Sequence, residues 1–308
     1  MEDNFIKYMK KHRPELFFFI DEFAIVRYYK KCALLNKNTG EVLSDINVGT
    51  VRETAYSKKH NKIFLKSVLN GYLYAYDLVQ NELKKLFKVG HTNSIFVSRS
   101  GEFLIAYTSY GPIRIISANT YEIKAVNDCD TRYFYYKGWD NPYKKRYEFI
   151  GVGSLYDIPC SMIAIDYEGN TLFREVIKID GDEIRHNDAG YNSETDTYIL
   201  DYRKKSDKAD GLPLTVGLYS DDVFENSLGN IIEGNYKGGC HYMTFFRNYA
   251  FLCHGDKNIY VIDLKRREVI KRFVTDDNTT TAQYDYRRNM LFASSGLGKI
   301  YLFEDVLE

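Results

Sequence analysis

Short runs of alternating apolar and polar residues, separated by turn residues, recur along almost the whole chain. The clearest set lies at Tyr242–Phe246, Tyr249–Cys253, Ile259–Leu264 and Val269–Val274, and the turn His254–Asn258 joins its second run to its third. A period of two over short runs, bounded by clusters of Gly, Asp and Asn, predicts antiparallel β-strands joined by hairpins.

Units of such runs recur about every 40 residues, which is the spacing of four-stranded blades in a β-propeller. A first unit begins at Leu16, a second covers Thr54–Val89 and a third covers Ser94–Val126. Two less regular units follow, then the clear set described above, and the last unit, Thr281–Phe303, has three runs only. The repeat therefore predicts seven blades.

The last unit lacks a fourth strand, and we expect Phe5–Met9, ahead of the first blade, to supply it. Pairing of the two ends of the chain in this way closes the ring between the last blade and the first. It also covers exposed sheet edges, which otherwise promote aggregation. We therefore predict an all-β chain in which residues 1–308 form a single domain. Its fold is a seven-bladed β-propeller of four-stranded antiparallel blades, closed by an N-terminal strand.

Some of the blades resemble those of the WD40 and YVTN families. Gly90-His91 is similar to the glycine-histidine entry of a WD40 repeat, and Asp256 and Asp263 stand where that repeat has its turn and final aspartates. The residue before the final aspartate is Ile262 rather than tryptophan, so the family's hydrogen-bonding set is incomplete. The resemblance implies the fold, the strand order and a blade-capping role for His91, and it implies no specific activity.

Composition narrows the choice of partners and compartment. Forty-two basic residues balance forty-two acidic ones, whereas proteins that hold nucleic acid by its phosphates carry a basic surplus, so nucleic acid is an unlikely partner. The five cysteines are widely spaced without a C-x-x-C pair, which indicates reduced thiols rather than disulfides or a zinc site. No apolar segment has the length of a signal peptide or membrane span. We expect a cytoplasmic protein that does not contact a membrane, and its richness in Lys, Asn and Tyr is typical of AT-rich bacterial genomes.

The common catalytic signatures are missing from the sequence. It has no phosphate-binding G-x-x-x-x-G-K-[ST] loop, no G-x-S-x-G nucleophile elbow and no H-E-x-x-H metal helix, so no cofactor, metal or catalytic residue is assigned. A propeller without these motifs favours a non-enzymatic scaffold or adaptor that binds another protein. The alternative is a small-molecule-binding or metal-dependent enzyme or sensor.

Candidate residues for that alternative collect at one end of the predicted disc. In a propeller, the loops between blades and the turns between second and third strands lie at one end, which we call the top face. The other turns form the bottom face. Imidazole, carboxylate and guanidinium groups at the top of the channel would bind a ligand or act as acid and base, and the structural alternative is that they cap their own blades. The residues concerned are His91, Asp130, Arg132, Arg185, His186 and His241.

Three longer connections are candidates for partner binding, because insertions on a repeat scaffold often build its binding face. Arg203–Pro213 and Gly153–Pro159, which contains Tyr156, are expected on the top face. Lys137–Tyr143 is expected as a long turn on the bottom face and carries the single tryptophan, Trp139. An exposed Trp139 would anchor a partner, whereas a buried one would pack under blade 4.

Basic residues occupy several predicted bottom-face turns. Lys58–His60, Lys144–Arg146, Lys265–Arg267 and Arg287–Arg288 all fall in such turns. A basic bottom face would orient the protein against charged partners. Alternatively, these residues keep the hairpin turns soluble.

Overall fold

The computed structural model describes residues 3–28, 31–67, 70–89, 93–108, 111–129, 133–153, 159–204, 214–222, 224–234 and 240–307. For several of these, including Arg52, Tyr136, His186, Asn187 and His241, only the backbone is described.

The strands form seven antiparallel sheets arranged as a seven-bladed β-propeller, which confirms the predicted fold class. Blade 1 contains β1 (Leu16–Ile20), β2 (Phe23–Tyr28), β3 (Lys31–Asn36) and β4 (Val42–Ile46). Blade 2 contains β5 (Val51–Ser57), β6 (Lys62–Ser67), β7 (Tyr72–Asp77) and β8 (Glu82–Lys88). Blade 3 contains β9 (Asn93–Val97), β10 (Phe103–Thr108), β11 (Ile113–Ser117) and β12 (Ile123–Asn127).

The remaining blades vary more in strand number and length. Blade 4 contains β13 (Tyr133–Asn141), β14 (Arg146–Gly153), β15 (Ser161–Asp166) and β16 (Thr171–Val176). Blade 5 has five strands, namely β17 (Lys178–Ile179), β18 (Asp182–Asn192), β19 (Thr197–Lys204), β20 (Leu214–Tyr219) and β21 (Ser227–Gly234). Blade 6 contains β22 (Cys240–Phe246), β23 (Tyr249–His254), β24 (Asn258–Asp263) and β25 (Glu268–Val274). Blade 7 has three strands in the described residues, namely β26 (Thr279–Asp285), β27 (Met290–Ser295) and β28 (Ile300–Phe303).

The hydrophobic core is divided into seven clusters, one between each pair of neighbouring blades. Between blades 2 and 3, for example, Phe64 and Ala75 pack against Leu104 and Ala106. Alternate residues of a strand point to opposite faces of the sheet, so each blade contributes side chains to two clusters. Stability is therefore shared around the ring by contacts between blades.

The N-terminal segment is a helix, α1 (Asn4–His12), so the prediction of a strand at Phe5–Met9 is wrong. The Asp3 carboxylate caps the helix, accepting hydrogen bonds from the amides of Phe5 at 2.8 Å and Ile6 at 3.2 Å. Arg13 ends it in the left-handed conformation with φ of 47°, and the following proline cannot continue a helix. No helix in the described part of the chain has the length and apolar character needed to cross a membrane.

Helix α1 takes over the packing of the missing fourth strand. Phe5 and Met9 are fully buried between blades 7 and 1, where they share a cluster with Phe292 and Leu35. In the corresponding cluster between blades 2 and 3, the fourth strand β8 provides the equivalent contacts. The N-terminal segment therefore packs where the sequence suggested, but it does so with side chains rather than with a strand ladder.

Candidate functional site

The first strands of the blades line a central channel, and five of them carry a β-bulge near their top ends. In each of β5, β13, β18, β22 and β26, the register with the second strand of the blade shifts at the bulge. A bulge adds one residue to a strand and re-aims its neighbours. The residues added in this way are Arg52, Tyr136, Asn187, His241 and Thr280.

One residue from each of six blades forms what we call the channel ring. These residues are Glu53, Ser94, Lys137, Asp188, Tyr242 and Thr281. In five blades this residue directly follows the bulge, and in blade 3, whose first strand β9 pairs without a register shift, it is Ser94.

Members of the channel ring reach from one blade to the next. The carboxylate of Glu53 in blade 2 accepts hydrogen bonds from the Ser94 hydroxyl at 2.6 Å and the Ile95 amide at 3.0 Å, both in blade 3. The Lys137 ammonium in blade 4 lies 3.1 Å from a carboxylate oxygen of Asp188 in blade 5. The ring is thus a belt of polar contacts that ties neighbouring blades together.

The charge of Lys137 is felt on two sides of the channel. Burial raises the pKa of Glu53 in blade 2, and the positive charge of Lys137 opposes that rise. Burial also raises the pKa of Tyr242 in blade 6 to about 12, again against the charge of Lys137. The ammonium group of Lys137 thus influences ionisable groups of blades 2 and 6 as well as Asp188 of blade 5.

The raised pKa of Glu53 predicts a specific pH dependence of stability. A carboxyl whose pKa is higher in the folded state binds its proton more tightly there, so the free energy of unfolding should fall as pH rises from 4.5, the ordinary value, to the raised pKa. Each unit of pKa increase corresponds to about 1.4 kcal/mol. Chemical denaturation between about pH 4.5 and 8 should show the free energy of unfolding of the wild type falling relative to that of Glu53→Gln as pH rises. Equal pH slopes for the two proteins would contradict a raised pKa of Glu53, because the variant lacks this titrating group.

A cavity of about 430 Å³, which we call the lower cavity, lies beneath the channel ring. It runs from the turn after β1 up to Tyr242, a member of the ring. Its lining residues come from blades 1, 2, 6 and 7, and they are Phe18, Phe19, Ile20, Asp21, Thr54, Ala55, Tyr56, Tyr242 and Gln283.

A second cavity of about 170 Å³, the side cavity, adjoins the first and shares Phe19, Asp21 and Gln283 with it. The ammonium of Lys37 lies in its wall, 4.7 Å from the centre of the Phe19 ring. Tyr286 also lines this cavity, on the side of blade 7.

Two aromatic rings and two arginines border the side cavity on the bottom face. Tyr286, which is 50% exposed, stacks on Phe246 with ring centres 5.8 Å apart and planes inclined by 8°. Arg247 lies over the Phe246 ring at 5.2 Å, and Arg287 lies over Tyr286 at 5.8 Å. We call Phe246, Arg247, Tyr286 and Arg287 the rim patch.

The predicted top-face residues divide into two groups. His91, Asp130, Arg132 and Tyr156 lie outside the described residues, as does most of Arg203–Pro213. The other three lie within first strands rather than in the loops that the sequence suggested. Arg185 and His186 belong to β18, and His241 is the bulge residue of β22. Because β18 and β22 are neighbours, the backbone places His186 and His241 close to each other at the upper end of the channel.

Trp139 lies in strand β13 and is buried, so the expected long turn at Lys137–Tyr143 is wrong. The turn between β13 and β14 covers only residues 142–145. The indole nitrogen of Trp139 donates a hydrogen bond of 2.8 Å to Glu148, and its ring stacks on Tyr191 of blade 5. Of the two alternatives for this tryptophan, the structure shows the buried one.

Glu148 is the centre of a buried polar cluster that the sequence analysis missed. The side chain is fully buried and accepts hydrogen bonds from four partners in blades 4 and 5. The donors are Trp139 at 2.8 Å, Asn141 at 3.2 Å, Arg146 at 2.8 Å and Tyr198 at 2.8 Å. The signal available in the sequence was a carboxylate between Tyr147 and Phe149, in a strand that carries no other charge after Arg146.

His254, which the sequence places in the turn His254–Asn258, ends strand β23 and is fully buried. Its ring nitrogen lies 3.0 Å from the carboxylate of Asp256. In the described part of the chain, no group of three or more His, Cys, Asp and Glu side chains is arranged to hold a metal ion.

Several basic turns of the bottom face are paired with acids of other blades. Lys58 lies 3.2 Å from Asp21 of blade 1, and Lys144 lies 2.8 Å from Asp222 of blade 5. Lys59 and His60 both pair with Glu102 of blade 3. These ion pairs offset much of the positive charge expected there.

Comparison with known proteins supports the propeller fold and does not indicate a function. No protein-family model matches the chain, and no curated protein matches it. Among solved structures, 1568 chains match, so this fold is widespread. One is a chain of Kuenenia stuttgartiensis hydrazine synthase, with a TM-score of 0.77 and 12% sequence identity over 96% of this chain and 97% of that chain. At that identity the likeness concerns the fold alone.

Proposed function

We propose that this protein is a non-enzymatic propeller scaffold or adaptor that docks a partner protein on its bottom face, at the channel mouth. The observation that carries the proposal is the rim patch beside the two cavities. Tyrosine and arginine are enriched where proteins bind one another, and binding energy concentrates where such side chains border pockets that accept an anchor. We include in this proposal the resemblance of the blades to those of the WD40 and YVTN families.

Burial of the described cysteines supports a cytoplasmic location for this scaffold. Cys32, Cys129, Cys160 and Cys253 are all buried, and none of them forms a disulfide in the described part of the chain. Cysteines kept as thiols are typical of reducing compartments.

Binding of a small molecule is the second candidate function. The lower cavity, at about 430 Å³, falls within the range of about 300–1,000 Å³ that is usual for ligand pockets. It lies in the lower half of the channel, whereas the sequence analysis placed such a site at the top.

Tyr286→Ala tests the docking surface, and Tyr143→Ala is its matched control. Both tyrosines lie in bottom-face turns, with exposures of 50% and 58%, but Tyr143 belongs to blade 4 and lines neither cavity. Tagged wild type and both variants would be purified from the protein's own cells, and the co-purifying protein and any small molecule would be quantified. We expect a stoichiometric partner protein that Tyr286→Ala loses at least about tenfold, which corresponds to 1.4 kcal/mol, and that Tyr143→Ala retains.

Two outcomes would contradict the docking proposal. One is a partner that Tyr286→Ala retains as well as the wild type does. The other is a stoichiometric small molecule without a partner protein, which would favour the second candidate.

A further inference from the structure

Four of the nine residues that line the lower cavity are aromatic. Phe18, Phe19 and Tyr56 contribute rings, and Ile20 and Ala55 contribute apolar surface. Aromatic faces carry negative partial charge and attract cations placed over them. Among the nine lining residues, only Asp21 is charged.

Asp21 stands at the entrance of the cavity, in the turn between β1 and β2. Its side chain is 44% exposed and lies 3.2 Å from the ammonium of Lys58, which is itself 82% exposed. Such surface ion pairs contribute about 0–1 kcal/mol. A ligand cation can therefore displace Lys58 from Asp21 at small cost.

Acidic side chains outnumber basic ones around Tyr56 in the cavity wall. Burial raises the pKa of Tyr56, and the carboxylates of Asp21 and Glu22 raise it further, whereas Lys58 lowers it. A negative field opposes an anionic ligand and favours a cationic one.

The deep end of the cavity is closed by polar groups that satisfy one another. The Gln283 amide donates a hydrogen bond of 2.9 Å to the Tyr242 hydroxyl, and its oxygen accepts one of 3.4 Å from the Phe19 amide. The deep end therefore presents no charge of its own, and charge recognition falls to Asp21 at the entrance.

The chain itself places a cation against one of these rings. In the side cavity, the Lys37 ammonium lies 4.7 Å from the centre of Phe19 and 3.9 Å from the carboxylate of Asp285. An aromatic ring together with a carboxylate thus already holds an alkylammonium group beside the lower cavity.

We infer that the lower cavity binds an organic cation on an aliphatic stem, and that in the docked complex this is a lysine or arginine side chain of the partner. The identification with a partner side chain rests on the proposed function. The cationic head lies near Asp21 in the mouth of the cavity, and the aliphatic stem that leads to it from outside packs against the half-buried ring of Tyr56. Filling of the pocket by one basic side chain would make that residue the anchor of the complex.

Small model compounds test the cation site without the partner. The probes are the N-acetyl methylamides of lysine and arginine, and the uncharged comparison is the N-acetyl methylamide of norleucine. Calorimetric titration at low salt should show binding of at least one charged probe, with the norleucine compound at least about tenfold weaker. Asp21→Asn should weaken the charged probe about tenfold, and Lys58→Ala should strengthen it because the competing ammonium is removed.

Glu122→Gln is the control for loss of a bottom-face carboxylate. Glu122 pairs with Lys124 at 2.7 Å in blade 3 and lines neither cavity. We expect it to bind the charged probe as the wild type does. Equal weakening by Asp21→Asn and Glu122→Gln would overturn the cation site, as would equal binding of the norleucine compound.

The two proposals fail separately. If neither charged probe binds while Tyr286→Ala still loses its partner, the cation site is overturned and the docking surface stands. If a charged probe binds through Asp21 while the partner is indifferent to Tyr286→Ala, the docking surface is overturned and the cation site stands.

Discussion

Replacement of Glu148 by alanine is expected to lower the free energy of unfolding by about 3–5 kcal/mol, the usual cost of removing one partner from a buried charged pair. Four donors from blades 4 and 5 point at this carboxylate. Without it, the indole of Trp139 and the amide of Asn141 lose a buried acceptor, and Arg146 retains only Asp222 as a charged partner. Glu148→Gln keeps the shape and part of the acceptor capacity, so it should lie between alanine and the wild type.

Urea denaturation followed by tryptophan emission measures this loss, because Trp139 is the only tryptophan and donates directly to Glu148. Far-ultraviolet circular dichroism on the same samples shows whether the local and global transitions coincide. Glu122→Ala removes an exposed carboxylate whose partners, Lys124 and the Thr120 hydroxyl, belong to its own blade, and should change the free energy by less than about 0.5 kcal/mol. A loss below about 1 kcal/mol for Glu148→Ala would contradict a central role for the cluster.

The blades could be predicted from the sequence because the signal for a strand in a propeller is local. In blade 6 the predicted runs Tyr249–Cys253 and Val269–Val274 correspond to β23 and β25, and each predicted bound lies within one residue of the observed one. The prediction failed where residue types that are common in turns lie inside a strand. Gly138 and Asn141 suggested a turn, yet both belong to β13. Gly138 is required by packing, since a Cβ atom there would lie 2.6 Å from the Phe149 ring.

The candidate site could be predicted only in part, because its lining residues are spread over four blades. Phe18, Tyr56, Tyr242 and Gln283 come together in the channel although they are far apart in sequence, and each resembles an ordinary core residue of its own strand. One local signal was available. Three phenylalanines in succession break the alternation of β1, so they cannot all share one packed face; Phe17 is fully buried, and the next two line the cavities.

The helix at the N-terminus shows a different limit. Phe5 and Met9 are four residues apart, which suits one face of a helix. The sequence analysis nevertheless predicted a strand at these positions, because blade 7 lacked a fourth strand. Capping decides the local structure. The Asp3 side chain that caps α1 also accepts a hydrogen bond of 2.8 Å from Arg288 of blade 7, so the cap and the attachment to the ring depend on the same carboxylate.

Phe5→Ala is expected to lower the free energy of unfolding by about 3–5 kcal/mol, the usual cost of removing a buried phenylalanine ring. Phe5 is fully buried between blades 7 and 1, with ring centres 5.5 Å from Phe292 and 5.7 Å from Phe19. No described fourth strand of blade 7 can compensate for the cavity. The loss should therefore be concentrated at this one junction of the ring.

Hydrogen exchange locates that loss, and urea denaturation measures it. In Phe5→Ala, amides of β1 and β27, which flank the helix, should exchange faster than those of β14 on the far side of the ring, because opening begins at the junction that has lost the buried ring. Lys7→Ala, on the exposed side of α1, is the control and should leave stability within about 0.5 kcal/mol. If amide exchange became faster by the same factor in all blades, blades 7 and 1 would separate no more readily than other neighbouring blades. Helix α1 would then contribute core packing without a special role in closing the ring.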